Sequence, residues 1–329
     1  MLGIIANPGS GKDIRRLISG ASVFDNQEKK NIVRRVVLGA VAVGENSVSY
    51  FADGHGIART AIEEAGEDFN SRPVDVELTV SALDSKSAAR RMREEGCGAL
   101  VILGGDGTSR AVALGWQDAP VVAVSTGTNN VFPTMVEGTL AGMAAGLIST
   151  GRLSLNGLAT NSKLIHLEID GEPPDLALID AALIAGPFVG ARAVWNPDDV
   201  RCAVLTRAEP ASVGISSIGA LISPLSADED EGLFLELGSG GAEVTAPIAP
   251  GLMPSVPVRR LRRTALGERV RITGPGVLAL DGERERRLQE DQVAELRVER
   301  DGLKVIDVEK TLTAAACARI LVEGDLDGN

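Results

Sequence analysis

Residues 99–110, ALVILGGDGTSR, put a carboxylate, that of Asp106, inside a glycine loop of the kind that holds phosphate. The apolar run 99–103 has the pattern of a buried parallel strand, and Thr108 followed by Arg110, Ala111, Val112 and Leu114 has that of a helix start. At such a strand-to-helix turn the bare N–H groups of Gly104, Gly105 and Gly107 and the positive end of the helix dipole attract anions. Two like charges about 4 Å apart repel by about 4 kcal/mol at an effective dielectric of about 20. A carboxylate there needs a partner, either Mg2+ or an acceptor hydroxyl whose proton it takes.

Two further loops carry related chemistry. NPGSGKD, at 7–13, departs from the phosphate-loop pattern GxxxxGK[ST], because Ala6 stands where the first glycine belongs and Asp13 where Ser or Thr belongs. Its Asn7, Pro8 and Ser10 lie in a Gly/Ser turn that can donate N–H groups to phosphate or serve only as a turn. STGTNNVFP, at 125–133, offers Thr126, Gly127, Thr128, Asn129 and Asn130, either to a ligand or to an Asx-rich turn that caps the next helix. Loops at the C-terminal ends of adjacent parallel strands converge, so Asn7, Asp106 and Asn129 can face one ligand. LDGERER, at 280–286, contains a hairpin signal, Asp281-Gly282, followed by Glu283 in a charged run. RRLRR, at 259–263, is a source of positive charge for an anion, or a solvated face. With His55 and His166 the only histidines, a His-based triad or a histidine zinc site is not expected, and His55 reads as a turn residue.

The elements that must position these loops follow from pattern. Over residues 1–150 strand signals at 2–6, 48–53, 74–80, 99–103 and 120–125 alternate with helix signals from near Gly56, over 85–96 with a Gly96 C-cap, and over 137–149. That alternation predicts a doubly wound parallel sheet. Over 151–305 short strands separated by Gly and Pro turns predict a β-rich second domain. The last stretch turns helical again, and 306–329 is expected to pack back on the first domain.

A chain of 329 residues exceeds the usual ceiling for one core, which agrees with two domains. A net charge of -12 and an aromatic content of 3% argue against nucleic acid as a partner. Cys97, Cys202 and Cys317 match no metal-ligand or disulfide spacing, so reduced thiols and a cytoplasmic location are expected. The N-terminus has no basic segment ahead of its short apolar run and does not read as a signal peptide. The longest apolar tract, 176–195, contains Asp180, Pro187 and Arg192 and reads as buried strands, so no membrane span is expected. The expected assembly is a homo-oligomer.

NPGSGK, GGDGT and GTNNVFP, in that order at the ends of successive strands, resemble the superfamily of ATP-NAD kinases and diacylglycerol or sphingosine kinases. The match is closest to its ATP-NAD kinase-like branch, which contains the acetoin-catabolism protein X group. LALIDAALIAGPFVGARAVW (176–195), SVGISSIGALI (212–222) and VLALDGERERRL (277–288) extend the similarity over nearly the whole chain. The resemblance implies an α/β nucleotide-binding domain, a β-sandwich second domain and an active site between them. It also implies Mg2+-dependent transfer of the γ-phosphoryl group of ATP to a hydroxyl of NAD or a related soluble acceptor, as in NADP biosynthesis.

By the same resemblance Asp106 orients or deprotonates the acceptor hydroxyl, and Gly104, Gly105 and Gly107 approach phosphate. The nucleotide is expected at Asn7, Pro8, Ser10, Thr108, Thr126, Gly127, Thr128, Asn129 and Asn130. The Asn-Glu pair with which NAD kinases hold NAD falls nearest to Asp180-Ala181, where one acid remains and the pair does not. Residues 212–219 lack the first Thr and the Tyr of the family's Thr-Gly-Ser-Thr-Ala-Tyr segment. Glu283 matches the Glu that can serve as base in the lipid kinases' Asp-Gly-Glu segment. A lipid kinase and a nucleotide-binding regulator without turnover are the alternative readings.

Overall fold

The computed structural model describes residues 1–11, 24–66, 69–127, 129–185 and 197–322. In chain order the first unit contains β1 (Leu2–Ala6), α1 (Asn26–Ala42), β2 (Ser47–Tyr50), α2 (Ile57–Ala65), β3 (Asn70–Pro73), α3 (Ala82–Glu94), β4 (Ala99–Gly104), α4 (Asp106–Gly115), β5 (Pro120–Ser125) and α5 (Gly138–Ser149). β1, β4 and β5 are buried at every residue, as apolar strands covered on both faces must be. Alternate residues of β1 point to opposite faces: Leu2, Ile4 and Ala6 pack with α1, α2 and α5, and Ile5 packs with α3 and α4. The strands run parallel in the order β3-β2-β1-β4-β5. The order reverses between β1 and β4, which opens a crevice beyond their C-terminal ends. α1 and α5 cross closely because a Cβ at Gly39 or Gly142 would collide with the facing helix backbone, at Thr139 and Val36.

The alternating segment 74–80 is not a strand. β3 forms just before it, at Asn70–Pro73, and pairs with Ser47–Tyr50. β2 ends at Tyr50, so the alternating residues have no neighbour to complete a ladder, and alternation without a partner makes no sheet.

The second unit contains β7 (Leu164–Ile169), β8 (Asp175–Ala177), β9 (Asp180–Ile184), β10 (Val200–Leu205), α6 (Ile215–Ala220), β11 (Glu231–Thr245), β12 (Ser255–Ala265), β13 (Val270–Thr273), β14 (Gly276–Leu280), β15 (Glu283–Leu288) and β16 (Val293–Glu299). They form two antiparallel sheets, β12-β11-β10-β9-β14-β15 and β13-β16-β7-β8, packed face to face as a sandwich. Cys202 and Val204 of β10 face the space between the sheets, while Ala203 and Leu205 face the core under α6. Burial pushes the Cys97 thiol up to about 12 and the Cys202 thiol up to about 11, which leaves both unreactive.

Two short strands return to the first sheet. β17 (Lys304–Ile306) lies parallel to β5, and β6 (Ala159–Asn161) lies antiparallel to β17, which brings the sheet to seven strands. The chain therefore passes between the units after β6 and before β17. At the first passage the buried Lys163 donates to the carbonyls of Ser226, Glu229 and Glu231 at 3.2, 2.7 and 2.8 Å. Burial lowers its pKa to about 8. α7 (Val308–Cys317) then packs on α5 through Ala315 and Leu147. Among the described residues no helix is long and apolar enough to cross a membrane.

Candidate functional site

The loops that follow β1, β4 and β5 are fastened to one another. The Asn7 N–H donates to the Leu103 carbonyl at 2.9 Å, and its Nδ2 donates to Thr108 Oγ1 at 2.8 Å. The Thr126 N–H donates to the Gly104 carbonyl at 3.2 Å, and the Ser10 and Thr126 hydroxyls lie 2.8 Å apart. Asn130 Nδ2 donates to Ser125 Oγ at 2.8 Å and approaches the Gly104 carbonyl at 3.5 Å. The glycines permit this closeness: a Cβ at Gly104 would stand 2.5 Å from Thr108 Oγ1, and one at Gly105 2.7 Å from Asn130 Oδ1. Thr128 lies outside the described residues, as does Lys12.

Beneath the first loop sits Lys29, fully buried on α1. Its Nζ donates to the carbonyls of Asn7, Pro8 and Ser10 at 2.9, 3.2 and 2.7 Å. A buried ammonium is tolerated only with such acceptors, and its charge behind the loop favours an anion in front. No motif in the sequence includes it. The available signal is its spacing: Lys29 shares one helix face with Ile32, Val33 and Val36, where an apolar residue belongs.

Asp106 is the first residue of α4, which starts two residues before the Thr108 read from the sequence. Its carboxylate accepts the N–H of Phe132 at 2.8 Å and that of Val131 at 3.1 Å. Amides of the neighbouring loop are thus partners that the sequence did not disclose. They hold the carboxylate at the mouth of a pocket of about 20 Å3, lined also by Asn129, Asp180, Ser216 and Asp281. That volume takes one water-sized group, such as a hydroxyl.

Asp281 was legible only as half of a hairpin signal, and the hairpin is real, with φ of 51° at Asp281 and 79° at Gly282. The fold gives the side chain a second task. Its carboxylate accepts the N–H groups of Leu178 at 2.9 Å and Ile179 at 2.7 Å, and its own N–H donates to the Asp180 carbonyl at 2.9 Å. Burial, with the Asp106 charge adding to it, raises its pKa to about 6 against the pull of Arg110 and the amides. Arg110, on α4, donates to the Leu176 carbonyl at 2.6 Å and pairs with Asp175 at 2.8 Å, which ties the glycine-loop helix to the sandwich.

Glu283 comes to the same region from the other side of the hairpin. A Cβ at Gly107 would stand 3.7 Å from Glu283 Oε1, so this carboxylate borders the start of α4 and not the small pocket. Three of the four arginines of RRLRR are engaged elsewhere: Arg259 with Glu236, Arg262 with Glu268, and Arg263 with Glu229 and Glu231. They form a charged face. His55 donates its N–H to Asp53 in a turn, at 2.9 Å.

Comparison with known proteins bears on this arrangement. Residues 2–152 match the ATP-NAD kinase N-terminal domain, and residues 163–301 match the Acetoin catabolism protein X C-terminal domain. Acetoin catabolism protein X of Cupriavidus necator is 37% identical over 334 aligned residues, covering 97% of this chain and 91% of that protein. Yeast NADH kinase complexed with NADH shares the fold, with a TM-score of 0.54 at 15% identity over 99% of this chain and 89% of its own. An NAD kinase from Archaeoglobus fulgidus in complex with ATP gives a TM-score of 0.41 at 13% identity, covering 84% of this chain and 99% of that one. The kinase-type, nucleotide-binding architecture read from the loops and the identity along nearly the whole length agree: the chain belongs to the acetoin catabolism protein X group of the ATP-NAD kinase-like family.

Proposed function

We propose that the protein is an ATP-dependent phosphotransferase that moves the γ-phosphoryl group of ATP to a hydroxyl of NAD, NADH or a related soluble acceptor. The observation that carries this reading is a hydroxyl-sized pocket bordered by Asp106, Asp180 and Asp281 and opening beside amide-rich loops at the ends of β1, β4 and β5. The loops, with Lys29 beneath them, hold the phosphates. Asp106 orients the acceptor hydroxyl and takes its proton as the oxygen attacks the γ-phosphorus, while the bond to the β-phosphate oxygen breaks and ADP leaves.

Among the described residues no three His, Cys, Asp or Glu side chains are grouped to hold a metal. Mg2+ commonly needs only one or two carboxylates beside the nucleotide's phosphates, so Asp106 fits as its protein ligand, and the bound ion would neutralise charge on the phosphates. Supporting a dinucleotide acceptor is the NADH complex of the yeast kinase that shares the fold.

The test is to incubate the protein with ATP, Mg2+ and either NAD, NADH or short-chain diacylglycerol, and to follow ADP release and product identity. ADP with a phosphorylated dinucleotide is the expected outcome. Phosphorylated lipid would overturn the soluble acceptor, and ATP binding without ADP from any acceptor would move the reading to a regulator. Glu283 borders the phosphate loop and not the hydroxyl pocket, so Glu283→Gln is expected to keep turnover within about tenfold of wild type. A loss as deep as that of Asp106→Asn would make Glu283 the base.

A further inference from the structure

A larger cavity, of about 870 Å3, opens between β5, β17, α5, α7 and the loop that follows β10. It is separate from the hydroxyl pocket, with which it shares no lining residue. Its walls are largely apolar, formed by Val122, Phe132, Leu140, Val305, Val308 and Leu312. Into this apolar space projects one guanidinium, that of Arg207, stacked over Phe132 at 5.6 Å from the ring centroid. Its Nε is buried without a hydrogen-bond partner among the described residues, and no ion pair holds the side chain there.

This is an incomplete arrangement. A guanidinium stays charged at any physiological pH and presents donors in a fork that matches a carboxylate or phosphate. Stacking on a ring recovers about 0.5–2 kcal/mol, and the carboxylates of Glu209, Asp106 and Asp228 attract the charge only from beyond ion-pair distance. The rim sets the ligand's charge. Asp228 and Glu309 stand there in solvent, Glu137 and Asp307 cap α5 and α7, and Lys310 is paired with Asp307 at 3.0 Å. That acidic rim repels anions in proportion to their charge, so a polyanion such as a nucleotide triphosphate is opposed far more than one carboxylate on an apolar body that ends on Arg207.

We propose that this cavity binds an amphipathic monocarboxylate, its carboxylate on Arg207 and its apolar body against Phe132, Leu140 and Leu312. The volume lies within the range of small-molecule sites. The proposal does not depend on the phosphotransferase reading. Phe132 joins the two places, because its ring lies under Arg207 while its N–H holds Asp106.

The experiment uses three probes with one chain, octanoate, octyl phosphate and 1-octanol, titrated calorimetrically into the full-length protein. Octanoate is expected to bind saturably at one site, with 1-octanol and octyl phosphate each at least tenfold weaker. Arg207→Gln is expected to weaken octanoate at least tenfold, and Ala316→Trp, on the exposed side of α7 at the cavity mouth, to block it. Because Ala316 is exposed, the second variant tests the cavity even if Arg207→Gln disturbs folding. Equal binding of octanoate and 1-octanol, or unchanged octanoate affinity in an Arg207→Gln protein that melts like wild type, would overturn the anchor. Tighter binding of octyl phosphate would overturn the monocarboxylate, and no saturable binding of any probe would remove the site.

Discussion

Asp106→Asn is expected to lower ADP-forming turnover by about 10²-fold or more, the usual loss when a positioned proton acceptor is removed. The substitution keeps the shape and the helix start, but it changes both tasks of the carboxylate. An asparagine oxygen in the place of Oδ1 still accepts both N–H groups, while the new NH2 group faces the Val131 N–H that Oδ2 accepts at 3.2 Å. The acceptor hydroxyl loses the group that would take its proton. The loops after β1 and β4 stay fastened through Asn7, Thr108 and Thr126, so ATP binding measured without Mg2+ should change by only a few-fold. Measuring kcat, the ATP dissociation constant and the melting temperature of one preparation separates chemistry from collapse. Turnover within a few-fold of wild type would take Asp106 out of the mechanism.

Asp281→Asn should destabilise the fold in a pH-dependent way, more in acid than at neutrality. In the native protein burial holds the Asp281 pKa at about 6, above the ordinary 3.8. The folded state therefore binds this proton more tightly than the unfolded state. The resulting stability is complete below about pH 4 and is lost as pH rises through about 6, a span of about 3 kcal/mol. An asparagine has no such proton. Its one oxygen in the place of Oδ1 still accepts from Leu178 and Ile179, but its NH2 group then faces the Leu178 N–H that Oδ2 accepts at 2.9 Å, and that donor–donor contact costs stability at any pH. Urea unfolding of both proteins at pH 4.5, 5.5 and 7 should give a stability gap that is widest at pH 4.5. A gap that widens as pH rises would mean that the amides and Arg110 outweigh burial and hold this carboxylate ionised.

The local elements were legible because their signals are local. Continuous apolar runs marked β1, β4 and β5 as strands covered on both sides, and the glycines after them marked turns where a Cβ has no room. Gly96, with φ of 78°, follows the Glu95 C-cap and turns the chain out of its helix, and Asp281-Gly282 turns its hairpin. The order of the three loops and their place at strand ends were enough to predict that they meet. The alternation over 74–80 misled because a strand is defined by its neighbour, and β2 stops too soon to provide one.

By itself, then, the sequence determined the apolar strands β1, β4 and β5 and the glycine turns that follow them. Tertiary structure alone decided which of these meet, and which unremarked residues join them. The carbonyl cage around Lys29 spans about twenty positions, the grip of Asp281 on the Leu178 and Ile179 amides about a hundred, and the seat of Arg207 over Phe132 about seventy-five. No pattern within a window encodes such contacts. A charged side chain is placed inside only when distant backbone groups supply its hydrogen bonds or a ring its counterpart, and that supply exists only once the sheets have packed.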